Sequence, residues 1–227
     1  MTEGVDVFTW YQMKFWESGE WQVIQEKLDE LDQKKILYCP GYDRLFASLD
    51  ATSFNECKVA IIGQDPYPNI EHATGIAFDC PSSAKTFPAT LANIFTEYCA
   101  DLHYPYPTSG SLQKWASSGV LLWNAIPTCL VGNPGSHHSW TEWTWLTKEL
   151  VEVLDKKGVV FVLLGGIARS YVKYITSGKS KVVELTHPSP RGQLVKGGHR
   201  FLGSRVFTTV NQHLSELKLG TVDWRLD

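Results

Sequence analysis

Three side chains able to bind or transfer protons follow three separate apolar runs of this sequence. Asp65 lies in the segment GQDPYP at positions 63–68, Asn124 follows the run at 120–123, and His187 follows the run that ends at Leu185. The segment around Asp65 sets a carboxylate between a glycine turn and two prolines, which restrict the backbone. A carboxylate held this stiffly indicates a site in which its position matters.

The apolar runs before these residues predict buried parallel strands at 58–62, 120–123, 159–164 and 181–185. Helical patterns are predicted around and between them at 20–33, 88–98, 112–117, 142–156, 167–175 and 204–217. This alternation predicts an α/β fold with a central four-stranded parallel sheet, helices on both faces and right-handed crossovers. Neither a repeat nor a linker is evident, so one domain is expected over 1–227.

In open α/β sheets, ligands bind outside the carboxyl ends of the strands. The third run ends in Gly165 and Gly166, so the segments that follow all four runs should meet at one edge. Each segment alone has a plainer interpretation, because an Asp among prolines is usually a turn residue and an Asn is usually a cap. Four segments at equivalent positions favour a binding site.

Composition limits the function classes. The 227 residues, 43% of them hydrophobic, suffice for a core without metal or disulfide staples. The five cysteines lack a CxxC pair, which disfavours zinc and indicates reduced thiols. No secretion signal or apolar membrane span is evident, so an intracellular protein is expected, cytoplasmic in a bacterium or nuclear or within the host cell for a eukaryotic or viral chain.

Charge is unevenly distributed despite a net value of −3. Residues 1–32 hold eight acids and two lysines, whereas residues 169–205 hold eight Lys or Arg and the single acid Glu184. A local basic field can attract phosphates even in an acidic chain. Solvated surface charge is the alternative explanation for this field alone.

The order of these motifs resembles the family 1 uracil-DNA glycosylases over nearly the whole chain. The resemblance rests on GQDPYP, on GIAF at 75–78, on PATL at 88–91, on GVLLWN at 119–124 and on HPSP at 187–190. It implies hydrolysis of the bond between uracil and deoxyribose in DNA, without metal or cofactor. By resemblance, Asp65 stabilises the sugar cation and orients water, and His187 donates a hydrogen bond to the departing base.

The resemblance also implies how the flipped base is read. Asn124 would match the N3 hydrogen and O4 of uracil, Phe78 would stack on the ring, and Tyr67 would stand where the methyl group of thymine must go. Backbone groups around Gln64 would add hydrogen bonds. Core packing of Phe78 and Tyr67 and a capping role for Asn124 are the alternatives.

The phosphate backbone would be held mainly by small loop residues, which let backbone N–H groups approach closely. The positions that match the family's DNA-contacting loops are Pro88, Ala89, Thr90, Gly165, Gly166 and Ser189. Arg191 is expected to join them, in the minor groove or in the gap left by the flipped base.

Several positions depart from the family pattern. Pro68 stands where a histidine is usual, as it does in poxviral relatives, and this removes a side-chain contact near the water and Asp65. HPSPRG replaces the usual HPSPLS, so Arg191 takes the place of the leucine that enters the duplex and Gly192 that of a serine. Gly166 stands where serine is common. Residues 193–198 are expected to be an insertion in the same loop.

These departures keep two alternatives open. One is a glycosylase retuned to a modified uracil or to single-stranded DNA. The other is a DNA-binding or replication-accessory protein with little catalysis. The expected partner is uracil-containing DNA, single- or double-stranded, and the resemblance adds a possible DNA-mimicking inhibitor protein. A monomer is the default expectation.

Overall fold

The computed structural model describes residues 8–195 and 199–226. The strands are β1 (Tyr38–Cys39), β2 (Val59–Gly63), β3 (Val120–Asn124), β4 (Cys129–Leu130), β5 (Val160–Leu164) and β6 (Lys181–Leu185). The α-helices are α1 (Glu20–Gln33), α2 (Ala47–Ala51), α3 (Ala89–Leu102), α4 (Gln113–Ala116), α5 (Thr141–Lys157), α6 (Gly166–Arg169) and α7 (Val206–Glu216). Positions 196–198 of the predicted insertion lie outside the described residues.

The predicted parallel sheet is confirmed, with strand order β3-β2-β5-β6. Successive residues of each strand face opposite sides, because side chains alternate along a β-strand. In β2, Ala60 and Ile62 join the core that packs on α1 and α5, whereas Val59 and Ile61 join the core that packs on α3 and α7. The sheet is therefore covered on both faces, as its continuous apolar strands require.

The order in which the chain adds strands to the sheet reverses between β2 and β5, and this reversal opens a crevice. The chain passes from β2 to β3 on one side and then crosses to β5 and β6 on the other. The loops that leave β2 and β5, which are neighbours, therefore diverge. This divergence above the carboxyl ends is the usual ligand position in such sheets.

One predicted helix is shorter than expected. The segment predicted at 167–175 is α6 followed by a 3-10 helix at Ser170–Tyr174. The Ser170 hydroxyl donates to the Ile167 carbonyl at 2.7 Å, and such local bonds compete with regular helix. Helix α2 and the antiparallel pair of β1 with β4 were not predicted.

No helix within the described ranges is both long enough and apolar enough to cross a membrane.

Candidate active site

A pocket of about 600 Å³ lies outside the carboxyl ends of the central strands. It is large enough for a small planar ligand and the atoms attached to it. Nine residues predicted for the site line it: Gln64, Asp65, Tyr67, Phe78, Thr90, Asn124, His187, Ser189 and Arg191. Residues from the ends of β2, β3 and β6 thus converge, as the strand pattern indicated.

The other four predicted residues lie around this pocket. Pro88 and Ala89 precede Thr90, at the N-terminus of α3. Gly165 is buried, and a Cβ at its position would lie 3.0 Å from the His187 Cβ, so it supports that histidine. Gly166 is exposed at the start of α6, with open space where a side chain would be. Phosphate contact by these residues stays a prediction.

The Asp65 carboxylate is held on both of its oxygens. Gln64 donates its side-chain amide to Oδ1 at 3.1 Å, and the Gly135 backbone N–H donates to Oδ2 at 2.5 Å. The Asp65 side chain is only 8% exposed. Two donors and near-complete burial leave the carboxylate little freedom to rotate.

The backbone around Asp65 is tied to β3 and β4. The Gln64 carbonyl accepts from the Ile126 N–H at 2.9 Å, and the Pro68 carbonyl accepts from the Gly132 N–H at 2.7 Å. Between them, the Pro66 carbonyl faces the Cys129 thiol at 3.6 Å. These hydrogen bonds explain why the turn around Asp65 is rigid, as the sequence indicated. The prolines restrict its backbone, and residues that follow β3 and β4 bind its carbonyl groups.

Phe78 and Asn124 both lie against Gly63, the last residue of β2, and both line the pocket. Each of the two residues is 7% exposed. A Cβ at Gly63 would lie 2.7 Å from the Phe78 ring and 3.1 Å from Asn124 Oδ1, so only glycine fits there. Phe78 adopts a positive φ of 65°, an uncommon conformation for a bulky residue and one often found at functional sites.

Tyr67 is hydrogen-bonded to the backbone of Phe78. Its hydroxyl donates to the Phe78 carbonyl at 3.0 Å, which fixes the two aromatic residues relative to each other. Burial raises the pKa of Tyr67 well above its ordinary value of 10.0, so the hydroxyl remains a donor at physiological pH. The tyrosine ring forms a fixed wall of the pocket.

His187 is held as a neutral donor. The Ser189 backbone N–H donates to Nδ1 at 3.1 Å, which makes Nδ1 the acceptor and leaves the hydrogen of a neutral ring on Nε2. Burial lowers the pKa of His187 from its ordinary value of 6.5, while the charge of Asp65 opposes this shift. The pocket therefore contains a carboxylate and an uncharged N–H donor.

Gly192, which stands where the family has serine, is buried beneath His187. A Cβ at position 192 would lie 1.9 Å from the His187 carbonyl oxygen, closer than any side chain tolerates. The loop instead bends so that the Gln193 side-chain amide donates to that carbonyl at 2.9 Å. Glycine is required here by the path of the backbone.

Gly192→Ser, which restores the residue of the resembled family, should therefore displace His187. A displacement of about 1 Å should lower the rate of any reaction that uses this histidine roughly 100-fold. Single-turnover kinetics measure this effect, and thermal unfolding of Gly192→Ser and Gly166→Ser provides the comparison, since position 166 has room for the hydroxymethyl group. A Gly192→Ser protein with unaltered rate would show that the loop does not need its present path.

The sequence resembles the family at Ser136 and His137, but no site residue was predicted in this loop between β4 and α5. Gly135 contacts Asp65 through its N–H, and His138 Nε2 lies 3.5 Å from Asp65 Oδ2. Pro134 lines the pocket. The signal that could have found this loop is its two adjacent histidines, His137 and His138, within a glycine-rich stretch.

Two apolar residues at the mouth of the pocket were also missed. Leu194 is 78% exposed, and Val195, which lines the pocket, is 49% exposed. They follow Arg191, which is exposed as well. They belong to the predicted insertion, whose apolar content was not considered.

No cluster of three or more His, Cys, Asp or Glu side chains suited to a metal ion occurs in the described part of the chain.

The fold and the pocket define an α/β protein in which an aromatic ring, an amide, a carboxylate and a neutral histidine meet at the edge of a parallel sheet. The family model of the uracil DNA glycosylase superfamily matches residues 50–215. The uracil-DNA glycosylase of Coxiella burnetii (strain CbuG_Q212) is 37% identical over 233 residues, covering 100% of this chain and 98% of the relative. That of Xanthomonas campestris pv. campestris (strain B100) is 37% identical over 219 residues, covering 92% and 87%.

The fold is shared with the crystal structure of mimivirus uracil-DNA glycosylase, at a TM-score of 0.84 and 24% identity over 94% of this chain and 85% of the other. The chain belongs to the uracil-DNA glycosylase superfamily. Its enzyme class is accordingly the DNA N-glycosylases, which are hydrolases, and the accessory-protein alternative is not favoured.

Proposed function

We propose that this pocket hydrolyses the N-glycosidic bond of uracil in DNA through Asp65 and His187. Water bonds to C1′ of the sugar, the bond from C1′ to N1 breaks, and its electron pair leaves with uracil. Asp65 stabilises the positive charge on the sugar and accepts the proton that water loses. His187 donates a hydrogen bond to the oxygen on which the negative charge of uracil develops.

The observation that carries this mechanism is the hydrogen bond from the Ser189 N–H to Nδ1 of His187. Because Nδ1 is occupied by the Ser189 N–H, a neutral ring has its hydrogen on Nε2 and can donate to the leaving base. A neutral donor does not pair with Asp65 as a cation would, so the carboxylate keeps its charge for the sugar. The sugar end of the breaking bond is thus stabilised by Asp65, and the base end by His187.

Asn124 is proposed to select uracil. Its amide can accept from the N3 hydrogen and donate to O4, whereas cytosine presents the opposite pattern at these positions. Phe78 stacks on the base, and backbone groups at Gln64 add hydrogen bonds. Tyr67, fixed by its bond to the Phe78 carbonyl, excludes thymine by overlap with its methyl group.

Asn124→Asp tests this selection. An ionised carboxylate accepts from the cytosine amino group but repels O4 of uracil, so release of uracil should fall at least about tenfold and release of cytosine should become measurable. Oligonucleotides differing only in the target base give both rates. Unchanged strict preference for uracil would remove Asn124 from base recognition.

The phosphate backbone is proposed to run past the N-terminus of α3 and the loops after β5 and β6. At the start of α3, which follows Pro88, the backbone N–H groups of Ala89 and Thr90 lack partners within the helix and can face phosphate oxygens. Gly166 offers the same kind of contact after β5, whereas the Gly165 N–H already donates to the Leu185 carbonyl at 3.0 Å. Ser189 and Arg191 extend this path along the pocket mouth.

Leu194 is proposed to enter the stack that the flipped nucleotide leaves. It is the most exposed of the large hydrophobic residues in the described chain, and it follows the pocket-lining Arg191 by three positions. Apolar side chains that enter DNA commonly wedge between base steps. Arg191 is then free to contact phosphate or a base face.

Leu194→Ala and Arg191→Ala should separate these roles. Loss of the wedge should slow release from duplex DNA about tenfold while leaving single strands nearly unaffected, because only the duplex must be unstacked. Loss of the cation should weaken binding of both substrates and reduce the salt dependence by about one phosphate contact. Equal effects of Leu194→Ala on both substrates would exclude the wedge.

The substrate is proposed to be uracil in single- or double-stranded DNA, bound by a monomer that acts as one domain inside the cell. All five cysteines are free, which supports a reducing compartment. A structural neighbour, a variant of the mimivirus enzyme, was solved in complex with UGI. A DNA-mimicking inhibitor is therefore a proposed partner here as well.

The alternative is a glycosylase that acts on a modified uracil. Rates of release from oligonucleotides that contain different modified uracils test it.

A further inference from the structure

His138 lies beside the carboxylate on which the proposed mechanism depends. It belongs to the loop between β4 and α5, and its side chain is 30% exposed. Its Nε2 atom is nevertheless buried and has no hydrogen-bond partner among the described residues. This atom lies 3.5 Å from Asp65 Oδ2. A buried, unpaired ring nitrogen beside a carboxylate needs an explanation, since buried polar atoms are nearly always paired.

The backbone of the loop is shaped to bring this ring to Asp65. Gly135 has a positive φ of 80°, and a Cβ there would lie 3.2 Å from the His138 ring. The absence of a side chain lets the imidazole rest against the Gly135 backbone, whose N–H also donates to Asp65 Oδ2. The same oxygen is therefore approached by a backbone donor and by an imidazole.

The neighbouring His137 has a different environment. Its Nδ1 pairs with the Thr128 hydroxyl at 2.8 Å, and its ring stacks on Trp140 at a centroid distance of 3.9 Å. Burial lowers the pKa of His137 to about 4, with smaller contributions from His138 and Lys27. His137 is thus a structural, uncharged residue, and the adjacent His138 is the one that faces the pocket acid.

We propose that His138 is a positioning residue that holds Asp65 oriented for the attack of water. This inference rests on the proposed role of Asp65. Pro68, in the turn that follows Asp65, has no polar side chain to offer. His138 can supply an N–H from Nε2 to Oδ2, the oxygen that the Gly135 N–H also contacts.

The step remains balanced when His138 takes part. Water gives its oxygen to C1′ and its proton to Asp65, and uracil leaves with the electron pair of the broken bond. His138 forms no bond to substrate and keeps its own proton throughout. It acts by fixing the carboxylate before the attack.

Two other imidazoles adjoin this pair in the described part of the chain. Asp65 comes from the turn after β2, and His187 faces Asp65 from the end of β6, with Asp65 opposing the lowering of the His187 pKa. His137 adjoins His138 in the same loop, and Lys27 of α1 acts on His137.

A double-mutant cycle tests whether His138 acts through Asp65. His138→Ala should lower the single-turnover rate roughly ten- to hundredfold in the unaltered protein, the range for a lost charge-assisted hydrogen bond. In an Asp65→Asn background, the same change should have almost no further effect. Equal losses in both backgrounds would overturn the proposal. If Asp65→Asn alone leaves the rate unchanged, the proposed function itself fails, which is a distinct result.

Rescue by a conservative variant adds a measurement that a purely structural role would not pass. His138→Gln keeps an N–H donor near Oδ2, so it should retain most of the rate that His138→Ala loses. His138→Leu fills similar space without a donor and should not. A His138→Leu protein as active as His138→Gln would contradict the proposal. His213→Gln on α7, paired with Glu216, is the control and should leave the rate unchanged.

Discussion

Asp65→Asn is expected to lower the rate of uracil release about 1,000-fold or more while DNA binding is largely retained. The substitution removes the negative charge that stabilises the sugar cation and the base that receives a proton from water. The asparagine oxygen can still accept the Gly135 N–H, which now binds Oδ2 of Asp65. The turn should therefore keep its shape, and the effect should appear in the chemical step.

Single-turnover kinetics with saturating enzyme and a separate binding titration measure the two quantities for Asp65→Asn. Thermal unfolding provides the control for folding. Loss of binding in parallel with the rate would assign Asp65 to substrate contact, and an unchanged rate would remove it from the mechanism.

His187→Ala is expected to slow release about 100- to 1,000-fold, the usual effect of losing one donor to a developing anion. The effect should depend on the leaving group. A uracil analogue whose anion is more stable needs less help, so it should lose less of its rate than uracil does. A loss of equal size for all leaving groups would contradict the donation of a hydrogen bond to the departing base.

The charge state of His187 gives this prediction a pH dependence. Burial lowers the pKa of His187 below its ordinary 6.5, so the neutral ring predominates at pH 7. Labelled imidazole resonances should therefore titrate with a midpoint below that ordinary value. A midpoint above about pH 7 would mean that the active donor is a cation.

The sheet and its ligand-binding edge could be predicted from the sequence because parallel strands buried on both faces are continuous apolar runs. The predicted starts and ends of the strands differ from the structure by at most one residue. The convergence of Asp65, Asn124 and His187 followed from their positions after those strands. The structure brings all three to one pocket.

Contacts that depend on loop geometry could not be predicted. The approach of His138 to Asp65 depends on the turn at Gly135, whose conformation no periodic pattern encodes. The need for Gly192 arises from a carbonyl that belongs to His187, five residues earlier. Helix α2 and the pairing of β1 with β4 are short, and elements of this length give little hydrophobic periodicity.

The departures from the family pattern also have a physical interpretation in this structure. Gly192 fits a backbone path that serine would obstruct, and Leu194 offers an apolar side chain near the position where Arg191 replaced one. Pro68 lacks a side-chain donor, and His138 is the nearby imidazole on Asp65. Pro68 and Arg191 are thus each accompanied by a neighbouring side chain, His138 and Leu194 respectively, that can serve the chemistry of the residue they replace.

The most direct test of the account is a cleavage assay in EDTA with matched single- and double-stranded oligonucleotides that contain uracil, thymine, cytosine or 5-hydroxymethyluracil, followed by alkali. The account predicts abasic sites only from uracil, in both strand contexts and without added metal. DNA binding without release of any base, or release that requires a metal ion, would contradict the assignment of the chemistry to Asp65 and His187.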